Sequence, residues 1–296
     1  MRNNMTNYRT QWIGITFFAF VLAGVTPLFA AETTEEAKAD KDSYQLVYHF
    51  KKGDKLRWKV SQQLRVKTSM EDKTEIVDTL SVSTKFWSVV ELDDEGNAII
   101  EHQVEDVDMH RKQTGLADAK YNSQTDKEVP IGYEQVAQSL NVPLLKLVIK
   151  PNGELVSRTP LVPYSLGTLD SKILIPLPKE RVKVGETWKI QEEAALPQPN
   201  GTVKKIKLQK IYTLESVKND LAVITYKTER LSPVEEPKLE VQLFDKLSSG
   251  RIELDLTSGH LLKQQTDVKG YVLGFEGETS SIDHTARLIE EMKNEK

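Results

Sequence analysis

The sequence predicts an all-β fold with a minor helix: one long, strongly curved antiparallel sheet, half-barrel or barrel-like, with two related halves as a further expectation. Three observations carry this. From Leu56, the set Leu56, Trp58, Val60, Leu64 and Val66 alternates with Arg57, Lys59, Ser61, Gln63, Arg65 and Lys67. A strand sends two such sets to opposite faces, whereas a helix spreads them around its circumference. Turn signatures such as Asp93-Asp94-Glu95-Gly96-Asn97, Asn152-Gly153 and Thr257-Ser258-Gly259 recur between the alternating runs. Finally, Gly53-Asp54-Lys55-Leu56-Arg57-Trp58-Lys59-Val60 returns in shortened form as Gly185-Glu186-Thr187-Trp188-Lys189-Ile190. In each copy the glycine (Gly53, Gly185) serves a tight turn, and the tryptophan (Trp58, Trp188) anchors the next strand in a core.

Taken in order, residues 1–30 read as an export signal. Arg2 and Arg9 precede an apolar run from Ile13 to Ala30, with Pro27 near its end and small residues at the junction Ala30-Ala31. Cleavage is expected after Ala30, with Ala31 as a second site. An uncleaved anchor is the competing reading, because 18 apolar residues can just span a bilayer. Residues 31–43 form a charged, flexible tether with little to bury.

The first β half covers 44–160. Its opening strand of about thirteen residues would reach roughly 40 Å. After a turn at Met70–Lys73, the set Ile76, Leu80, Val82, Phe86, Val90 and Leu92 is expected on the dry face. Residues 111–130 read as a polar excursion, and Tyr133, Val136, Ala137 and Leu140 have the spacing of a short helix. Prolines 160, 163, 176 and 178 mark a linker or covering segment over 161–180. The second half, 181–296, carries strands near 206–214, 221–226, 238–247, 250–256, 260–273 and 277–290. The tail is read as a strand in preference to a helix.

There is no cysteine, which removes disulfides, thiolate metal sites, cysteine catalysis and a lipidated N-terminal cysteine. The first thirty residues hold two arginines and no acid, so their removal moves the net charge from −4 to −6. That acidity argues against a nucleic-acid partner.

Candidate chemistry is sparse. His102, Asp106, Asp108 and His110 share one strand parity and form a candidate metal set, weighed against a solvated outer face. Alternate side chains on a regular strand stand too far apart to close on one ion without help from a neighbour. Asp283-His284 invites a serine triad, but adjacent strand residues point oppositely. Asp93, Asp94, Glu95 and Asn97 offer oxygen ligands for calcium but fall well short of a dedicated loop, and an ordinary acidic hairpin turn is the preferred reading. The basic stripe Arg57, Lys59, Arg65 and Lys67, with Trp87 as an exposed platform, is the candidate ligand or partner surface. Its competing reading is cross-strand pairing with acids. No cofactor and no catalytic residue is indicated.

The stretches Leu177–Trp188, Val148–Glu154 and Gly250–Asp255 with Gly259 resemble those of uncharacterised exported β-rich proteins of planctomycete-type and other bacteria. The likeness covers most of 44–290 and implies fold and compartment only. A more distant likeness is to periplasmic half-barrel lipoprotein carriers, some of which have a lipidated cysteine that this chain lacks. The expected function is therefore a non-enzymatic periplasmic or secreted protein, with an apolar or amphipathic ligand or an envelope partner on the curved sheet. Alternatives are a structural or assembly protein of the envelope without a ligand, and a hydrolase whose site the sequence does not display. A lipid or envelope component is the expected partner. Membrane contact is expected only through an uncleaved signal segment, and no motif sets the oligomeric state.

Overall fold

The computed structural model describes residues 42–162, 174–198 and 200–293. The export segment, most of the tether and the centre of the 161–180 segment lie outside the described residues. Strand β1 (Ser43–Tyr44) pairs with β8 (Val182–Lys183) in a small ribbon. All other strands belong to one antiparallel sheet built from two meanders. The first comprises β2 (Lys55–Met70), β3 (Lys73–Leu92), β4 (Ala98–Gln113), β6 (Leu145–Ile149) and β7 (Leu155–Pro160), with β5 (Ala119–Asn122) paired to β4. The second comprises β9 (Thr187–Pro197), β10 (Val203–Lys218), β11 (Leu221–Arg230), β12 (Ser248–Asp255), β13 (Leu261–Leu273) and β14 (Ser281–Met292). Pairing of β14 with β2 joins the two meanders.

The β-rich prediction is met, but the barrel is not. Strand order runs β7-β6-β4-β3-β2-β14-β13-β12-β11-β10-β9 and stops at both ends. The sheet is open, neither closed nor strongly curled, so the expected concave face for a ligand is absent. Alternation along a strand specifies its dry face; it does not specify whether the two terminal strands meet. Closure would require β7 to bond β9, and β7 has only six residues and ends in Pro160.

Two local expectations also change. Residues 238–247, read as a strand, form helix α2 (Pro237–Gln242) and a 3-10 turn at Phe244–Lys246. Pro237 suits the first helical turn, and Leu239 and Leu243 are buried one helical turn apart. Phe244 lies where a Cβ on Gly270 would approach its ring to 2.2 Å, so the glycine lets this segment seat on the sheet. In β3 the dry face is the opposite one to that expected. Leu56 pairs with Trp87 and Trp58 with Lys85, which turns the odd residues of β3 inward. Trp87 and Val89 are buried, while Leu80, Val90 and Leu92 are exposed; of the expected set Phe86 is buried, with Arg57 over its ring. The short helix near 133–140 is present as α1 (Glu134–Gln138), and the tail is strand β14.

The main core draws Trp58, Trp87, Ile100 and Leu147 from the first meander and Tyr212, Leu214 and Ile224 from the second. Leu46 and Tyr48 pack into it beside Leu174, Ile175 and Leu177. The tyrosine hydroxyl of Tyr48 donates to the Ile175 carbonyl at 3.3 Å. Residues 174–177, read as part of a linker, therefore belong to the core.

Candidate functional site: the free edge of β9 and its cleft

The two Gly-acid motifs fold identically. Gly53 and Gly185 both have φ +90°, a conformation costly for a side-chain-bearing residue. The Gly53 N–H donates to the Val89 carbonyl and the Gly185 N–H to the Leu214 carbonyl, each at 2.8 Å. The acid that follows holds its own turn. Asp54 accepts from the Lys51 N–H and Glu186 from the Lys183 N–H, each at 2.8 Å. Each hairpin then carries a one-residue bulge, at Val90 in β3 and at Glu215 in β10. Counted from the glycine, Trp188 occupies the place of Leu56, and Ile190 that of Trp58. All four face the same side of the sheet.

Their surroundings differ. Trp58 is 1% exposed, its indole N–H donates to the Leu261 carbonyl at 2.9 Å, and its ring meets Trp87 edge-on at 5.0 Å. Trp188 is half-buried, donates to the Pro176 carbonyl at 3.0 Å and stacks on Tyr212 at 5.3 Å. Burial pushes the Tyr212 hydroxyl pKa upward, with Glu192 adding to the effect.

Strand β2 has β3 on one side and β14 on the other, while β9 has only β10. The Leu214 N–H donates to the Glu186 carbonyl at 3.1 Å, so that backbone carbonyl faces β10, while the Glu186 N–H closes the turn on the Lys183 carbonyl. Alternation along an antiparallel strand then turns the backbone groups of Trp188, Ile190, Glu192 and Ala194 toward β10 as well. The N–H and C=O groups of Thr187, Lys189, Gln191 and Glu193 face outward, with no strand partner among the described residues. At the far end, Gln242 of α2 donates to the Pro197 carbonyl at 3.4 Å and covers that part of the edge.

Beside the first half of β9 lies a cleft of about 830 Å³. Its apolar wall comes from Leu174, Leu177, Val182, Trp188 and Ile190, with Leu155 of β7 opposite. Arg158, Lys179, Arg181 and Lys189 stand around it with Glu154, Glu180 and Glu186. A second cleft, of about 820 Å³, lies along Leu64, Val268 and Ala286, and four of its rim charges are paired as Arg65–Asp78 and Arg287–Asp267.

The predicted site residues do not converge. Arg57 is bound to Glu105 at 2.9 Å and lies over the Phe86 ring; Arg65 is bound to Asp78 at 3.0 Å. Lys59 stands opposite Glu291 and Lys67 opposite Asp283 on β14. Two of the four stripe residues, Arg57 and Arg65, are thus held by carboxylates, while Lys59 and Lys67 face acids of β14 in register. Trp87 is no exposed platform: it is 1% exposed, and its indole N–H donates to His102 Nδ1 at 3.1 Å.

The metal set is split by a bulge at Glu105 in β4, where the pairing with β3 slips by one residue. His102 faces the core, whereas Asp108 is exposed and His110 pairs with Asp118 at 3.0 Å. That hydrogen bond holds the Asp118 carboxyl below its ordinary range. Among the described residues, no group of three or more His, Cys, Asp or Glu is placed to hold a metal. Asp93 is engaged within its own turn, where it accepts from the Asn97 backbone at 2.8 Å and the Asn97 side chain at 2.9 Å. His284 lies 3.3 Å from Asp245 of the 3-10 turn, a contact to a carboxylate rather than to a serine.

The sequence reading missed one buried ionic group. Lys85 Nζ is 2.6 Å from Glu290 Oε1, with each side chain only 10% exposed. The ammonium lies 4.6 Å from the Trp58 ring centroid and 5.0 Å from that of Trp87. His102 is adjacent and neutral, because its Nδ1 accepts the Trp87 proton. Burial first, then the charges of Lys85 and Arg158, bring its pKa down to about 3. The signal was present: Lys85 shares the parity of Trp87, and Glu290 that of Ala286 and Leu288. Only the assignment of Trp87 to the outer face hid it. Compared with known proteins, the chain matches no family model and no curated protein.

Proposed function

We propose that the protein is a non-enzymatic, exported assembly protein of the cell envelope that accepts an extended strand from a partner along the free edge of β9. The observation that supports this most directly is the outward row of backbone donors and acceptors from Thr187 to Glu193 beside an apolar cleft. Strand addition uses this combination: main-chain hydrogen bonds supply affinity, and side-chain pockets beside the edge supply selectivity. Most proteins blunt long edges because they invite pairing. Both edge strands end in a proline, but the opposite one has only six residues, whereas β9 has eleven. Export rests on the leader reading of residues 1–30. Among the described residues, no helix is long and apolar enough to cross a membrane.

A photo-crosslinking side chain at position 193, in protein expressed in its own envelope, tests the reading. Adducts should map to an extended segment of the partner and disappear when Gln191→Pro is added. Proline removes an outward N–H and no bond to β10, so the fold should survive. Adducts that persist with the proline, or that form equally from position 157 on β7, would sink the proposal. N-terminal sequencing of the envelope protein tests the leader: residue 31 or 32 should be found first.

A further inference from the structure

Resting on the strand-addition reading, we infer that the strand β9 accepts is β9 of a second copy of this chain, in an antiparallel pair centred on Gln191. The outward backbone groups belong to odd-numbered residues, so an added antiparallel strand must bond through Thr187, Lys189, Gln191 and Glu193. Centring the two-fold axis on Gln191 sets Lys189 of each copy directly opposite Glu193 of the other, on the side of the sheet away from Trp188. Two opposite-charge cross-strand pairs then form at once, each a favourable contact on a sheet face. A two-fold pair is self-complementary by construction, which is why one lysine and one glutamate placed symmetrically about a neutral residue suffice.

Neighbouring registers lack this match. Centring on Lys189 sets lysine against lysine, and centring on Glu193 sets glutamate against glutamate. Centring on Glu192 opposes two glutamates on the other face. Centring on Ile190 leaves Lys189 opposite Gln191 and Glu193 opposite Thr187, with no ion pair. The edge thus specifies one alignment and penalises three others, which is how strand register is usually secured. Within one chain Glu193 lies 3.2 Å from Lys205, and both are well exposed. In the pair this glutamate would lie between Lys205 and Lys189 of the second copy. Gln242 of α2 covers Pro197 and ends the available edge, so the contact is short and the dimer weak.

Sedimentation velocity of the purified protein, at concentrations up to about 100 µM, tests the inference. The wild type should self-associate reversibly. Lys189→Glu alone and Glu193→Lys alone should each weaken association by about tenfold or more, because two attractions become two repulsions. The Lys189→Glu/Glu193→Lys double variant should recover it, as should an equimolar mixture of the two single variants. A monomeric wild type overturns the inference, and so does self-association indifferent to these charges. If the wild type is monomeric while crosslinks sensitive to Gln191→Pro still form, this inference fails and strand addition stands. If those crosslinks are absent too, both fail.

Discussion

Strands β2 and β9 begin with the same turn, built by the same residue types and closed by the same hydrogen bonds, yet one lies in the middle of the sheet and the other ends it. Both continue into a hairpin with a bulge at the matching place. The difference lies in the second neighbour. β14 returns to pair with β2 over twelve residues, from Ser281 to Met292, and it brings Glu290 to meet Lys85 beneath two indoles. No described strand returns to β9, and its tryptophan stacks on a tyrosine beside a cleft. A repeated local sequence therefore specifies the turn and the inward face, while the flank decides between a central strand and an edge strand.

The comparison breaks most visibly at the ion pair that only β2 and its neighbours enclose. Glu290→Ala should destabilise the protein by about 3 to 5 kcal/mol in urea unfolding, because it strands a buried ammonium. The Lys85→Met/Glu290→Leu pair should recover much of that loss. A Glu290→Ala cost under about 1 kcal/mol would mean the pair behaves like a surface salt bridge. Trp58→Ala should cost about 3 to 5 kcal/mol, the range for a fully enclosed aromatic. Trp188→Ala should cost visibly less, since its indole is partly in water already. Equal losses would erase the distinction drawn between centre and edge.

A pH experiment sharpens the comparison on the enclosed side. His102 has a folded pKa of about 3, below its ordinary value of 6.5. Between those values the unfolded chain binds a proton that the folded chain does not. The histidine therefore stabilises the fold above pH 6.5, and this contribution is lost progressively as pH falls toward 3. The slope approaches about 1.4 kcal/mol per pH unit. His102→Phe should flatten the wild-type stability profile across that window, and parallel profiles would refute the assignment. The smallest effect concerns what the two strands share. Gly53→Ala and Gly185→Ala each force a side chain to positive φ in open space, so each should cost about 1 kcal/mol, alike within error.

Much of the fold was legible beforehand because alternation and turn chemistry are local. β2, β10, β12 and β14 were foreshadowed by runs of one parity, β4 and β13 by the turns that precede them, and the helix at 134–138 by its spacing. The failures come from packing, register and bulges, none of which local alternation records. Leu239, Val241 and Leu243 alternate as a strand would, but packing against β9 and β10 favoured a helix started by Pro237. Bulges at Val90 and Glu105 each shift parity by one residue. The bulge at Glu105 grouped His102 with residues that lie across the sheet from it, whereas Trp87 was placed outside because the even apolar residues of β3 read as its dry face, which the register with β2 overturns. A bulge leaves little trace in composition, since one inserted residue looks like any other. The candidate site was still less legible: Lys189, Gln191 and Glu193 read as an ordinary solvated face until β9 proved to be terminal.

By itself, the order of residues determined that this chain makes long two-faced strands, where its glycine turns fall, and that Trp58 and Trp188 face the dry side. These follow from sterics and hydrophobic period within a few residues. Tertiary structure alone decided that β14 reaches β2, that Lys85 meets Glu290, and that the sheet stays open with β9 at its margin. Those outcomes depend on contacts between residues far apart in sequence, for which local pattern carries no energy.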